Sequence, residues 1–291
     1  MSALPTAAPT HAFGSPLRLA PARPTTTHGI PGRAGHLVAA LGDRADVHGP
    51  CDEVGADIHA DLSDNEMHEI RAVLRTVLAL EGPVLDLAAG LGRLTVPLLA
   101  LRREVTALDI SGEMLDRLVT RLHRAPEALL RRCSTVQADM SDFSLGREFA
   151  AIVLGGSSVA LLDGAGRAGL YRSVCRHLAP GGRFLVSTID HGAGLLPPEV
   201  GTELVTPSGR SYRAYDYWEP GAPTWTLTAL PKDTGRGRVP VFTTTQRVLG
   251  GTQLQIELER AGLEVVSRTV VSQGRSRQPI VLIEASLPTY G

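Results

Sequence analysis

Between residues 63 and 81 the apolar positions Met67, Ile70, Val73, Leu74, Val77 and Leu78 recur at spacings of three and four. That period puts them on one face of a helix, which Ser63 and Asp64 can cap. After the turn Glu81-Gly82-Pro83 the pattern shortens to Val84-Leu85-Asp86-Leu87, a buried strand, followed by Ala88-Ala89-Gly90-Leu91-Gly92 and a helical stretch to about residue 101. A second strand is predicted over 104–108, ending at Asp109, with a helix over 111–123 opened by Ser111. Strands follow over 135–138, ending at Asp139, and over 149–154, ending at Gly155-Gly156-Ser157-Ser158. A helix over 166–178 and the turn Pro180-Gly181-Gly182 lead into a fifth strand over 183–189. Strands alternating with helices predict a parallel sheet covered on both faces.

From 191 to 251 the period changes to short alternating runs rich in Pro, Gly, Thr and aromatic residues, with strands expected over 211–217, 224–230 and 241–248. Both tryptophans, Trp218 and Trp225, lie here, and the stretch reads as an antiparallel insertion. The α/β order resumes with a helix over 252–261, a strand over 263–271, a loop over 272–278 and a last strand over 279–286. Two successive strands without a helix between them end the sheet in a hairpin. The expected fold is therefore α/β: a Rossmann-like, doubly wound, seven-stranded sheet with an antiparallel last strand, plus an antiparallel β insertion. Residues 1–45 are expected to be a flexible N-terminal tail, 46–190 the first part of the Rossmann-like domain, 191–251 the insertion and 252–291 its completion.

Composition narrows the partners. The 291 residues carry 29 basic and 30 acidic side chains, a formal charge of -1, with Lys232 the only lysine. A balanced surface gives no general attraction to nucleic acid or anionic membrane. The apolar runs stop well short of the roughly 20 residues that span a bilayer. Three scattered cysteines, Cys51, Cys133 and Cys175, form no C-x-x-C pair, so neither a disulfide framework nor a thiolate metal cage is indicated, and a reducing cytoplasm is the expected location.

The chemistry sits at the strand ends. Asp86-x-Ala88-x-Gly90-x-Gly92 closes the first strand, and Asp109 closes the second, 17 residues after Gly92. Open α/β sheets bind ligands at this edge. Glycines there let the backbone approach closely, and an acid on the second strand can accept both ribose hydroxyl protons. A nicotinamide cofactor would call for G-x-G-x-x-G around its pyrophosphate; the shifted glycines and the preceding acid favour a nucleoside cofactor without one. A plain structural turn, with Asp109 as an N-cap, is the alternative.

These residues resemble the class I S-adenosylmethionine-dependent methyltransferases, whose first motif is similar to residues 84–92; the likeness extends over 63–190 and 252–286. The resemblance implies S-adenosyl-L-methionine as cofactor and S-adenosyl-L-homocysteine as product. It assigns Asp86 and the backbone at Ala88, Gly90 and Gly92 to the methionine moiety and Asp109 to the ribose. Ile110 and Met114 would cover the adenine faces, Asp139 with Met140 its amino edge, and Ser157 the opening toward substrate. The family's first glycine is Ala88 here, which fits if its φ is negative.

The acceptor is less constrained. An amine needs only deprotonation, whereas a hydroxyl asks for a base. His191, just after the fifth strand, is one candidate; His59, before the first long helix, is another; Tyr215, with Tyr212, Tyr217, Trp218 and Trp225, could wall an amine pocket. Bland readings stand beside each: a loop histidine, a solvated pre-helix loop, ordinary sheet packing. Methyltransferases of nucleic-acid bases carry Asn/Asp-Pro-Pro-aromatic after the fourth strand, and Gly155-Gly156-Ser157-Ser158 stands there instead, so a nucleic-acid substrate is disfavoured. The motif and insertion resemble small-molecule N-methyltransferases, and residues 55–62 and 68–71 resemble methyltransferases of daptide-type peptide natural products. The expected partner is therefore a small-molecule or peptide amine. O-methylation with His191 as base, and an inactive methyltransferase-like partner subunit, are the alternatives. No metal site, nucleic-acid partner or membrane partner is expected, and oligomeric state is left open.

Overall fold

A computed structural model describes residues 29–50, 52–63, 67–190, 198–206, 208–271 and 279–288. The central layer is a seven-stranded sheet. Its strands are β2 (Val84–Leu87), β3 (Val105–Asp109), β4 (Cys133–Gln137), β5 (Phe149–Leu154), β6 (Leu178–Ile189), β11 (Glu264–Val270) and β12 (Ile280–Ser286), in the order β11-β12-β6-β5-β2-β3-β4. The pairs β2/β3, β2/β5, β3/β4 and β5/β6 are parallel; β12 runs antiparallel to both β6 and β11. The expected terminal hairpin is present, with β12 inserted beside β6.

Alternation along the strands sorts the core into two layers. Leu85, Leu87, Ile152 and Leu154 pack with α7 (Gly164–His177) and α8 (Gly251–Arg260) on one face. Val84, Val105, Ala107, Ala151 and Val153 pack on the other, against α3 (Met67–Leu78), α4 (Thr95–Ala100) and α5 (Gly112–Leu122). Ser111 caps α5, its Oγ accepting from Met114 N at 3.3 Å.

The second sheet has five strands in the order β1-β10-β9-β8-β7. The three expected strands appear as β8 (Ser211–Tyr217), β9 (Thr224–Pro231) and β10 (Val239–Arg247), with β7 (Glu199–Val205) added at one edge. The other edge comes from residues at the boundary between the expected tail and the expected Rossmann-like domain. Residues 32–45 are not a tail: α1 (Gly32–Leu41) packs Ala34 and Val38 against Tyr215, Leu230, Val239 and Val241, and β1 (Ala45–His48) pairs in parallel with β10. A helix also replaces the expected loop at 55–62. α2 (Glu53–Ser63) starts where Asp52 accepts from Gly49 N at 2.7 Å and from Gly55 N at 2.8 Å. Its apolar face is short, and its support comes from Ile58 packing with Phe242, Ala229 and Tyr212 of the inserted sheet. The helix expected over 63–81 is accordingly described as α3 alone.

Candidate active site

The turn after β2 is held from both sides. Asp109 Oδ2 accepts from Gly90 N at 2.8 Å and its Oδ1 accepts from Ser111 N at 2.9 Å, so one buried carboxylate ties the glycine turn to the start of α5. Where a side chain on Gly90 would stand there is no atom within 4 Å, while one on Gly92 would collide with Leu118 of α5. Gly90 thus leaves open space above the turn, and Gly92 allows the helix to close against it. Ala88 overturns the expectation of a negative φ: it sits at +51°. A left-handed alanine costs about 1–2 kcal/mol, and the anchored turn around it holds the strain.

Asp86 lies beneath this turn, 2% exposed, and accepts from Thr95 Oγ1 at 2.6 Å. Burial pushes its carboxyl up to about 7, against the opposing pull of Thr95 and Arg93. The folded chain therefore keeps a proton that the unfolded chain releases near 3.8. This group's contribution to stability is complete below that value, falls as pH rises, and levels off above about 7. Subtracting the pH profile of Asp86→Asn unfolding from that of the ligand-free wild type should leave this downward slope; a flat difference between pH 4 and 7 would contradict it.

The other cofactor candidates line the same edge. Ile110 is 37% exposed at the tip of β3 and Met114 is buried on α5. Gln137 donates to Ile110 O at 3.1 Å, and Ala138 N to Asp109 O at 3.0 Å, which joins the β4 end to the β3 end. Asp139 Oδ1 accepts from Ser141 N at 2.8 Å, and Met140 is buried beside it in the core. Ser157 is buried with a left-handed φ of +57°, its N–H donating to Ser187 Oγ at 3.3 Å.

Two residues absent from the sequence-derived site complete the arrangement. Glu69 of α3 has a fully buried carboxylate, 2.6 Å from Arg93 Nη2 and accepting from Gly156 N at 2.9 Å. It links α3, the glycine turn and the turn after β5. A side chain on Gly155 would run into Leu94, Arg93 and Glu69, and Gly156 holds a left-handed φ of +62°, which is why this turn carries two glycines. The sequence signal that could have marked Glu69 is its place in the row Glu69-Val73-Val77, four residues apart on the buried side of α3.

The candidate catalytic residues separate. His59, on α2, is half-buried and stacks on Phe242 with ring centroids 5.5 Å apart. Burial, then the nearby Arg93 charge, lowers its pKa from the ordinary 6.5 and favours the neutral ring. α2 itself bridges the two sheets: Asp57 pairs with Arg117 of α5, while Asp61 pairs with Arg210 at 3.1 Å and accepts from Tyr212 Oη at 3.2 Å. Tyr215 does not join this group. Alternation along β8 sends Tyr212 and Ala214 toward α2 and Tyr215 to the opposite face, where it packs under α1. His191 lies outside the described residues. Among the described residues no group of His, Cys, Asp and Glu could hold a metal ion, and no helix is long and apolar enough to cross a membrane.

Residues 84–182 match the family model described as a methyltransferase domain. The chain is 33% identical to the glycopeptide N-methyltransferase MtfA solved with S-adenosyl-L-homocysteine; the match covers 89% of this chain and 99% of that one, at a TM-score of 0.64. It shares its fold with the CcbJ methyltransferase of Streptomyces caelestis, at 21% identity over 78% of this chain and 90% of that chain, TM-score 0.63. The same holds for the sugar N-methyltransferase KedS8 of Streptoalloteichus sp ATCC 53650, at 22% identity over 74% of this chain and 84% of that chain, TM-score 0.54. None of the curated proteins compared matches the chain.

Proposed function

Because the chain belongs to the S-adenosylmethionine-dependent methyltransferases, we propose that it methylates an amine nitrogen on a peptide or glycosylated natural product. The observation that carries this reading is the extent of the likeness to the glycopeptide N-methyltransferase. It spans 89% of this chain, so it takes in much of the inserted sheet and its helices as well as the cofactor domain. Within peptide acceptors, the likeness of residues 55–62 and 68–71 to daptide-type enzymes makes a C-terminal peptide amine the first acceptor to try.

When bound, S-adenosylmethionine would supply a sulfonium methyl for in-line attack by the acceptor nitrogen, the N–C bond forming as the C–S bond breaks, with S-adenosylhomocysteine as leaving group and one proton to be removed from the product amine. The residues present fit that cofactor: the space above Gly90 is open, and Asp109 presents a carboxylate whose two oxygens each have capacity beyond one backbone N–H. In this reading Asp109 holds the ribose, Asp86 and the turn backbone at Ala88, Gly90 and Gly92 hold the methionine end, Ile110 and Met114 cover the adenine, and Asp139 with Met140 meets its amino edge. Ser157 borders the acceptor entrance. His59 takes the proton, being neutral, half-buried and next to Arg93 of the cofactor turn.

Product fragmentation should place each added methyl on nitrogen; methyl found on oxygen or carbon would reject the proposal. His59→Gln should lower kcat about tenfold at neutral pH, since an amine acceptor is partly deprotonated before it binds. The affinity for S-adenosylhomocysteine should be unchanged, and an unaltered kcat would remove His59 from the mechanism.

A further inference from the structure

The outer face of the inserted sheet carries a concavity of about 540 Å³ on the side away from His59. It lies between α1 and the edge strand β7 and is lined by Arg33, His36, Gly201, Glu203, Arg213 and Tyr215. Three observations specify what it would take. Among the described residues β7 is the last strand of its sheet, and one side of its backbone has no neighbouring strand. Its outer face is also uncovered: Gly201, Glu203 and Val205 are exposed, Val205 by 66%, because α1 packs over β8, β9 and β10. The charge there is net positive, with Arg33, Arg213 and Lys232 standing against Glu199 and Glu203. Glu203 is already engaged by Arg213 at 3.1 Å and Lys232 at 2.7 Å, and Glu199 is spent on the N–H groups of Arg33 and Ala34 at 2.9 and 3.1 Å. The Arg33 guanidinium lies over the Tyr215 ring, 6.0 Å from its centre, and both line the groove.

We infer that this shelf docks an extended acidic peptide, which adds as a strand to the free edge of β7 and turns its acidic side chains toward Arg33, His36 and Arg213. A strand added to an edge gains its affinity from backbone hydrogen bonds and its selectivity from alternate side chains, so acids at every second position are the pattern this face selects. The inference rests on the peptide-acceptor reading and deepens it: the docked segment is an upstream part of the substrate. The sheet is thin enough for this. A layer about 10 Å deep is crossed by roughly three extended residues, so a peptide held on β7 can turn past the edge to the α2 side, where Tyr212 and His59 lie.

The test is fluorescence anisotropy on the full chain without cofactor, using a fluorescein-labelled ten-residue peptide that alternates Glu with Thr. Wild type should bind it, with affinity falling as salt rises. Arg33→Glu should weaken binding at least tenfold, and Glu203→Gln, which frees Arg213 and Lys232, should tighten it severalfold. The same peptide with alternate backbone amides N-methylated should not bind. Absence of binding to wild type, equal affinity in Arg33→Glu, or equal binding of the N-methylated peptide would each overturn the inference. Methyl transfer to a small amine, measured in parallel, should be the same in Arg33→Glu and wild type. Peptide binding without N-methylated product from any acceptor would count against the proposed reaction and leave the docking site standing.

Discussion

Asp109→Ala should weaken the binding of S-adenosylhomocysteine by about 10²–10³-fold, measured by titration calorimetry on a protein whose thermal unfolding remains cooperative. The magnitude comes from the number of bonds the carboxylate anchors. It accepts from Gly90 N and Ser111 N at once, and each hydrogen bond to a charged group is worth about 1.5–3 kcal/mol. Without it the glycine turn and the first turn of α5 lose their common anchor, and the acceptor proposed for the ribose hydroxyls is gone. About 3–4 kcal/mol of combined loss corresponds to that range of affinity. Asp109→Asn should fall between the two, because its amide keeps one acceptor oxygen but turns an NH₂ toward one of the two backbone donors. An affinity within threefold of wild type in Asp109→Ala would show that the cofactor lies elsewhere.

Glu69→Ala should destabilise the fold by about 3–5 kcal/mol in urea unfolding, the usual cost of removing one partner from a buried ion pair. The carboxylate is fully buried and serves both Arg93 and Gly156 N–H, so its loss removes one buried partner from the guanidinium and leaves the Gly156 donor beneath the cofactor turn without its acceptor. Glu69→Gln keeps the acceptor for Gly156 and removes only the charge, and should cost less. The double variant Glu69→Leu with Arg93→Leu separates the causes. If the penalty is the broken Glu69–Arg93 pair, stability should largely return, since an apolar pair can replace a buried ionic one. Activity should not return, because Arg93 directly follows the glycine turn and its charge helps keep His59 neutral. A Glu69→Ala midpoint matching wild type would mean that the pair contributes nothing to holding the two turns together.

The cofactor half of this protein was legible because its signals are local. Strand, glycine turn, helix and acid follow one another within 30 residues, and each follows from short-range patterning or backbone stereochemistry. Asp86, Gly90, Gly92 and Asp109 were placed by spacing alone, and their positions at the ends of β2 and β3 follow. The cap was only partly legible. α2 has few apolar residues and β1 has four residues in all, so neither carries a period strong enough to stand out. Glu69 was missed because its partners lie 24 and 87 residues away.

By itself, then, the amino-acid order determined the order of α and β elements, the hairpin at the end of the sheet and the acid-glycine-acid constellation, because side-chain period and turn chemistry act over a few residues. Only the tertiary structure decided that residues 32–48 join a sheet whose other strands begin at 199, since pairing β1 with β10 depends on a register between segments about 190 residues apart. It decided that Ala88 takes a positive φ, because the anchors at Gly90 and Asp109 impose the turn from outside. And it decided that Tyr215 faces α1 while Tyr212 faces α2. Alternation separates odd from even residues, but which side is inner depends on what packs there.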